Sequence, residues 1–266
     1  MTCKSALTGS GGHYRLNPYV GCEHACAYCY ATYIARWRGQ SGPWGSWVQA
    51  KTNIADVLER ELGRRAGIEV FLSTVCDVYQ QVEEELRLTR QCLEVLLAAT
   101  QWDPGLRVTI LTKSDLVVRD LDLLSAFPPG RAEVSFSLTT HRDDAGALLE
   151  PGAAPPSARF AAARALREAG VPASILINPV LPYVTERDLP GLVKAIEEAG
   201  AQFGGFDLCN YLSRHVGAKL RSVYARLGSK AAARLEEARR DPGYEEDVRA
   251  LVQRATAGAS AKASRR

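Results

Sequence analysis

Apolar residues along this chain fall into two alternating rhythms. Short β-rich runs of six or seven residues recur as "RLNPYVG", "IEVFLS", "RVTILT", "AEVSFSL", "PASILIN" and "QFGGFDL". Between them the period lengthens to that of a helix. Ile54, Val57, Leu58 and Leu62 form an i, i+3, i+4, i+8 stripe behind Asn53, the pattern of one apolar helix face. A longer pattern from Val82 carries Leu88, Cys92, Val95, Leu96 and Ala99, and another places Leu189, Leu192, Val193 and Ile196 on one side before Gly200. Ser114, Ser157 and Thr185 stand where helix caps belong, and Gly170 ends the Ala-rich segment after Ser157, so each stretch has a start or stop signal.

Strands alternating with helices of this length predict βαβ units and a parallel sheet. Six units are too few for a closed eight-stranded barrel, so the expected fold is α/β, an open partial (β/α)6 barrel of the TIM type. In such sheets the site lies at the carboxyl ends of the strands. That rule nominates Cys22, Cys76, Asp77, Lys113, Ser137, Asn178 and Cys209. Four segments are expected: a flexible, Gly- and Ser-rich N-terminus over 1–13, the barrel over 14–208, a helical extension over 209–252, and a disordered basic tail over 253–266.

Composition narrows the class. The chain has 266 residues, 46% hydrophobic, with a formal net charge of +3, which favours no polyanionic partner by itself. No apolar run is long enough for a bilayer, and no basic-then-apolar leader opens the sequence. Seven cysteines, three of them clustered, do not read as an extracellular disulfide framework. The expected location is the cytoplasm, away from membranes.

The clustered cysteines, Cys22, Cys26 and Cys29 in "VGCEHACAYCYA", follow the first strand and so belong to a rim loop. Three thiolates that close together in sequence can wrap a metal. Tetrahedral zinc needs a fourth ligand, which His24 or His13 can supply; an iron–sulfur cubane takes three thiolates and leaves one iron free. The first alternative makes the chain a zinc-binding, nucleic-acid-binding module.

The Cys-x3-Cys-x2-Cys spacing with an aromatic before the last cysteine resembles the signature of radical S-adenosylmethionine (SAM) enzymes. The wider text "NPYVGCEHACAYCYA", with "DVYQQVEEELRLTRQCLEVL", "ILTKSDLVVRDLDLL", "VSFSLTT" and "EPGAAPPSARFAAARALREAGVP" in order behind it, is similar to the spore photoproduct lyase-like family over roughly residues 14 to 200. The resemblance implies a [4Fe–4S] cluster on Cys22, Cys26 and Cys29, with SAM bound at the open iron. It further implies reductive cleavage to a 5′-deoxyadenosyl radical that abstracts hydrogen from an unidentified substrate, as in lyase-like members. DNA-lesion repair is the alternative substrate reading. A small electron-donor protein of flavodoxin or ferredoxin type is implied as partner, with DNA a possible substrate.

The same resemblance assigns Tyr28 to adenine packing, Lys113 to the methionine carboxylate and Ser137 to the ribose. Cys76 lies where many such enzymes carry a Gly-Gly-Glu motif, absent here; it is a candidate either to return hydrogen to the product or to touch SAM, with Thr74 aligned on the relatives' donor position. Tyr30 joins Tyr28 as a relay candidate. Cys92 falls on a core stripe, and Cys209 has no neighbouring cysteine, so no auxiliary cluster is expected. "HRDDAG" reads as a polar connection. The cations Arg214, Lys219, Arg221, Arg226, Lys230 and Arg234 fit either phosphate contacts or a solvated helix face.

Overall fold

The computed structural model describes residues 1–63, 65–209 and 217–263. Its strands are β1 (Leu7–Ser10), β2 (His13–Leu16), β3 (Tyr19–Val20), β4 (Gln49–Ala50), β5 (Glu69–Leu72), β6 (Arg107–Thr112), β7 (Ala132–Leu138), β8 (Ala173–Val180) and β9 (Gln202–Leu208). The helices are α1 (Tyr33–Trp37), α2 (Ile54–Leu62), α3 (Glu83–Leu86), α4 (Leu88–Ala99), α5 (Leu121–Leu124), α6 (Asp143–Leu149), α7 (Pro156–Glu168), α8 (Val184–Glu198), α9 (Ala218–Leu227), α10 (Ser229–Arg240) and α11 (Tyr244–Ala263). One seven-stranded sheet runs β1-β2-β5-β6-β7-β8-β9, and β3 pairs with β4 in a separate two-stranded ladder. From β2 onward all pairings in the large sheet are parallel. This is the expected six-stranded α/β partial barrel.

Alternation positions the core. Val108 and Ile110, then Val134, Phe136 and Leu138, then Ile175 and Ile177 are buried on the face that meets the helices. Helix α7 lies on β7 and β8, and α8 on β8 and β9. Ala162 and Ala163 on the buried side of α7 keep that helix close to the sheet, because a methyl adds little thickness. Cys92 is fully buried on α4 beside Leu93 and Leu96, a small hydrophobe as expected.

The N-terminus corrects the reading of a flexible segment over 1–13. Leu7–Ser10 pairs antiparallel with His13–Leu16, and the turn is Gly11-Gly12, both at positive φ, the geometry a two-residue hairpin demands. Ahead of it, Asn53 accepts from the Cys3 N–H at 2.8 Å and donates to the Cys3 carbonyl at 3.0 Å. Asn53 therefore ties down the terminus and makes no cap bond to α2. Ser157 and Thr185 likewise are not caps: Ser157 binds Asp143, and Thr185 bridges Leu181 and Thr139. Ser114 does cap, accepting from Leu116.

The first strand of the sheet ends at Leu16, earlier than "RLNPYVG" suggested, because Tyr19–Val20 turns away to pair with Gln49–Ala50. At the other end, α11 continues to Ala263. Most of the tail expected to be disordered is therefore helical, in keeping with its alanines; residues 264–266 lie outside the described residues. Leu220, Val223, Tyr224, Leu235, Val248 and Val252 join the main core, and Tyr224 donates to the Pro182 carbonyl at 2.7 Å. The helical extension is thus packed onto the barrel.

Candidate metal and cofactor site

Cys22, Cys26 and Cys29 are free thiols on the irregular segment after β3; Cys22 and Cys26 are buried and Cys29 half-buried. None of the three cysteines lies in a helix or strand, so the shape of the loop is imposed from outside. Leu149 accepts from the Ala27 N–H at 2.8 Å, and Gly152 donates to the His24 carbonyl at 3.1 Å. A Cβ on Gly152 would stand 2.2 Å from the Glu23 carbonyl oxygen, so only glycine allows the approach. Gly45 presses on Ala25 in the same way, with 2.3 Å from its notional Cβ to that of Ala25. Lys219 of α9 donates to the Ala25 carbonyl.

The three thiols open onto a cavity of about 620 Å³ at the carboxyl ends of the strands. Its wall includes Tyr28, Tyr30, Cys76, Asp77, Lys113, Asn178 and Asp207. Asp77 organises the rim: it accepts from the Tyr79 N–H at 2.9 Å, the Thr112 hydroxyl at 2.8 Å and the Lys113 N–H at 2.7 Å. The Lys113 ammonium stands 5.8 Å from the Tyr28 ring centre.

Burial pushes the Cys26 and Cys76 thiols up to about 12 and Cys22 well above its ordinary value. Cys29 is also raised by burial, against the pull of the Ala31 N–H and of the Lys113 and Lys219 charges. Thiols in such a place stay protonated until a cation displaces the proton. The surroundings suit that exchange. Trp44 packs beside Cys29, yet its indole N–H is buried without an acceptor within hydrogen-bond distance; a thiolate or sulfide there would supply one.

A single ion fits less well. His24 is buried with Nδ1 3.4 Å from Asp77. Among the described residues no three His, Cys, Asp or Glu side chains gather tightly enough to ligate one ion, and His13 pairs with Glu69 at 2.9 Å. Tetrahedral zinc draws its thiolates within a single 2.3 Å coordination sphere, whereas a cubane holds each thiolate on a separate iron.

Residues 16–196 match the family model of the radical SAM superfamily. The chain belongs to the radical SAM superfamily. An uncharacterized protein of Methanocaldococcus jannaschii is 33% identical over 172 residues, 65% of this chain and 62% of the relative. One of Mycobacterium tuberculosis is 34% identical over 214 residues, 76% of this chain and 62% of its own length. The chain thus spans about 62% of the length of these curated relatives. A spore photoproduct lyase variant with bound AdoMet and dinucleoside spore photoproduct shares the fold, at TM-score 0.54 and 21% identity over 70% of this chain and 52% of that one.

For a radical SAM chain the cavity gathers most of the nominated residues but not all. Tyr28 lines it with its ring, while its hydroxyl donates to the buried Glu150. Tyr30 is exposed and donates to the Thr74 carbonyl. Cys76 faces the cavity and donates to the Tyr19 carbonyl at 3.3 Å. Ser137 does not reach the cavity: it is fully buried and donates to the Asn178 carbonyl at 2.6 Å, and Asn178 lines the wall in its place. Cys209 is buried outside the cavity.

His141, Asp143 and Asp144 disperse, with Asp143 on Ser157 and Asp144 on Arg142. Of the basic stretch, Arg214 lies outside the described residues; Arg221 pairs with Glu236 and Arg234 with Glu186. Sequence reasoning missed the buried Glu150–Arg159 pair behind Tyr28 and the Trp44 indole. No helix among the described residues is long and apolar enough to cross a membrane.

Proposed function

We propose that this chain is a radical SAM enzyme that binds a [4Fe–4S] cluster through Cys22, Cys26 and Cys29 and SAM in the cavity beside it. The observation that carries the reading is the loop of three free thiols opening, with Lys113, onto a 620 Å³ cavity at the carboxyl rim of the parallel sheet. When bound, the pair supplies reductive cleavage of SAM to methionine and a 5′-deoxyadenosyl radical able to take a hydrogen atom from substrate.

The chain's own residues have separable tasks. Lys113, its backbone pinned by Asp77 and by Ala154 at 3.1 Å, offers a fixed cation to the methionine carboxylate. The Tyr28 ring offers an adenine platform, and Glu150 keeps its hydroxyl occupied. Ser137 acts through Asn178, holding the residue that meets the ribose side of the cavity. Cys76 and Tyr30 are the candidates to pass a hydrogen atom to the product, since both face the cavity and carry an X–H bond. The substrate is one whose C–H bond enters that cavity; a DNA lesion of the spore-photoproduct kind remains the second reading, motivated by the likeness in fold.

The test is anaerobic reconstitution followed by reduction with dithionite. Brown protein holding about four irons and forming 5′-deoxyadenosine supports the reading; colourless protein with one zinc and no cleavage refutes it. Adding irradiated DNA or cell extract to deuterated-substrate assays then separates the substrate readings.

A further inference from the structure

Three of the five large hydrophobic side chains exposed among the described residues fall in one eight-residue stretch: Tyr30 at 58%, Tyr33 at 43% and Trp37 at 79% exposure. That stretch follows the third cysteine directly. From His24 to Ala55 the sequence holds no Asp or Glu, while Arg36 and Arg38 flank Trp37. Both guanidiniums are exposed, and among the described residues neither enters an ion pair or hydrogen bond through its side chain. Tyr33 and Trp37 sit edge to face with ring centres 5.0 Å apart, presenting a firm aromatic ridge.

What lies beneath this ridge gives it meaning. Ile34, on the opposite side of α1, is buried with Val20 and Ala31, and Cys29, Trp44 and Trp47 pack against the same group. Tyr30 and Tyr33 also border the cavity, whereas Arg36, Trp37 and Arg38 lie outside its lining, so the patch runs from the cavity mouth onto the outer wall around Cys29, the least buried of the three cysteines. A soluble protein gains nothing by exposing a tryptophan between two unpaired cations, and such a combination is typical of interface anchors.

We propose that the face formed by Trp37, Arg36 and Arg38 is the docking surface for an acidic one-electron carrier protein. This rests on the function proposed above. Breaking one sulfonium C–S bond of SAM consumes one electron; the carrier is oxidised by one electron, and the chain takes it up at the cysteine loop beneath the patch. Positive charge without nearby acid steers an acidic partner to this face, and Trp37 supplies the buried anchor once it arrives. A nucleic acid suits the patch less well. Two cations give few phosphate contacts, and the ridge stands over the metal loop.

The test compares two reductants on the same enzyme. Wild type, Trp37→Ala and the double charge reversal Arg36→Glu/Arg38→Glu are reconstituted, and 5′-deoxyadenosine formation is followed with excess dithionite and with limiting reduced flavodoxin. The expected result is dithionite-driven rates within about twofold of wild type but flavodoxin-driven kcat/KM down about tenfold or more, with the wild-type salt dependence flattened in the double variant. Equal flavodoxin-driven rates in all three proteins overturn the proposal. So does loss of single-stranded oligonucleotide binding, by anisotropy, with flavodoxin turnover untouched. If a variant also loses the dithionite rate, labelled flavodoxin binding to the metal-free chain decides, an unchanged Kd overturning the proposal. Wild type that makes no 5′-deoxyadenosine with dithionite fails the enzymatic reading itself, a result distinct from these.

Discussion

Replacing Arg159 with methionine tests whether the cysteine loop is supported by a buried ion pair. Arg159 and Glu150 have side chains 1% exposed and meet at 2.5 Å. Arg159 also donates to the Ala154 carbonyl at 2.7 Å and the Ser137 carbonyl at 2.9 Å, while Glu150 accepts the Tyr28 hydroxyl. Breaking one side of a buried pair costs about 3–5 kcal/mol. Each carbonyl left dry adds about 1 kcal/mol or more, and protonation of Glu150 limits the total, so a loss of about 4–6 kcal/mol follows. That is a large part of a stability of about 5–15 kcal/mol.

The sign with pH is equally specific. Burial alone would raise the Glu150 carboxyl, but the Arg159 and Lys113 charges, with hydrogen bonds from Tyr28 and Arg159, hold it below its ordinary value. Its contribution in wild type is therefore present above the unfolded pKa of about 4.3 and lost as pH falls through the depressed folded value. In Arg159→Met the carboxyl is buried without its partner and its pKa rises, so stability should fall as pH climbs from about 4.3. Urea unfolding of the metal-free chain, followed by far-ultraviolet circular dichroism between acid and neutral pH, measures both. The double variant Glu150→Gln/Arg159→Met should lose less than the sum of the single changes. A loss under about 1 kcal/mol for Arg159→Met, strict additivity, or an unchanged pH slope would refute the reasoning.

Gly152→Ala places a methyl 2.2 Å from the Glu23 carbonyl and should cost about 1–3 kcal/mol while lowering iron retention on reconstitution; unchanged melting and iron content refute it. Lys219→Met removes a cation bonded to the Ala25 carbonyl and should move the reduction potential to more negative values by on the order of tens of millivolts, with Lys219→Arg restoring it in an EPR-monitored titration. Ser137→Ala frees the Asn178 carbonyl and should cost about 1 kcal/mol of stability while weakening SAM binding several-fold, read by equilibrium dialysis. Asn53→Ala cuts both bonds to Cys3 and should cost about 1–2 kcal/mol, with hydrogen exchange accelerated in the hairpin over 7–16.

The parallel strands were legible because β-rich runs alternate with periodic helices, and the parallel rim then nominated Asp77, Lys113 and the cysteines. The hairpin over 7–16 was hidden by its composition. Thr8, Ser10, His13 and Arg15 are exposed, so the run lacks an apolar face, although the Gly-Gly turn was a usable signal. Asn53, Ser157 and Thr185 looked like caps because capping is a local rule. Each side chain instead found a partner that folding brought close, as with Asn53 and Cys3, 50 residues apart in sequence. Glu150 and Tyr28, 122 positions apart, could not be paired by any spacing.

That long-range pairing bears on how the site works. The strap from Leu149 to Ala154 touches both halves of the cavity: it bonds Ala27 and His24 in the cysteine loop, and through Ala154 it bonds the Lys113 carbonyl. Arg159 grips the same strap at Ala154 and neutralises Glu150 under Tyr28. The thiols and the cation expected to face the methionine carboxylate are thus fixed to one short segment rather than to each other. A shift of the strap should alter metal retention and SAM affinity together, while a change confined to Asn178 should alter affinity alone. The cysteine loop has no regular secondary structure across its three thiols, so its rigidity is borrowed from a part of the chain that carries no ligand.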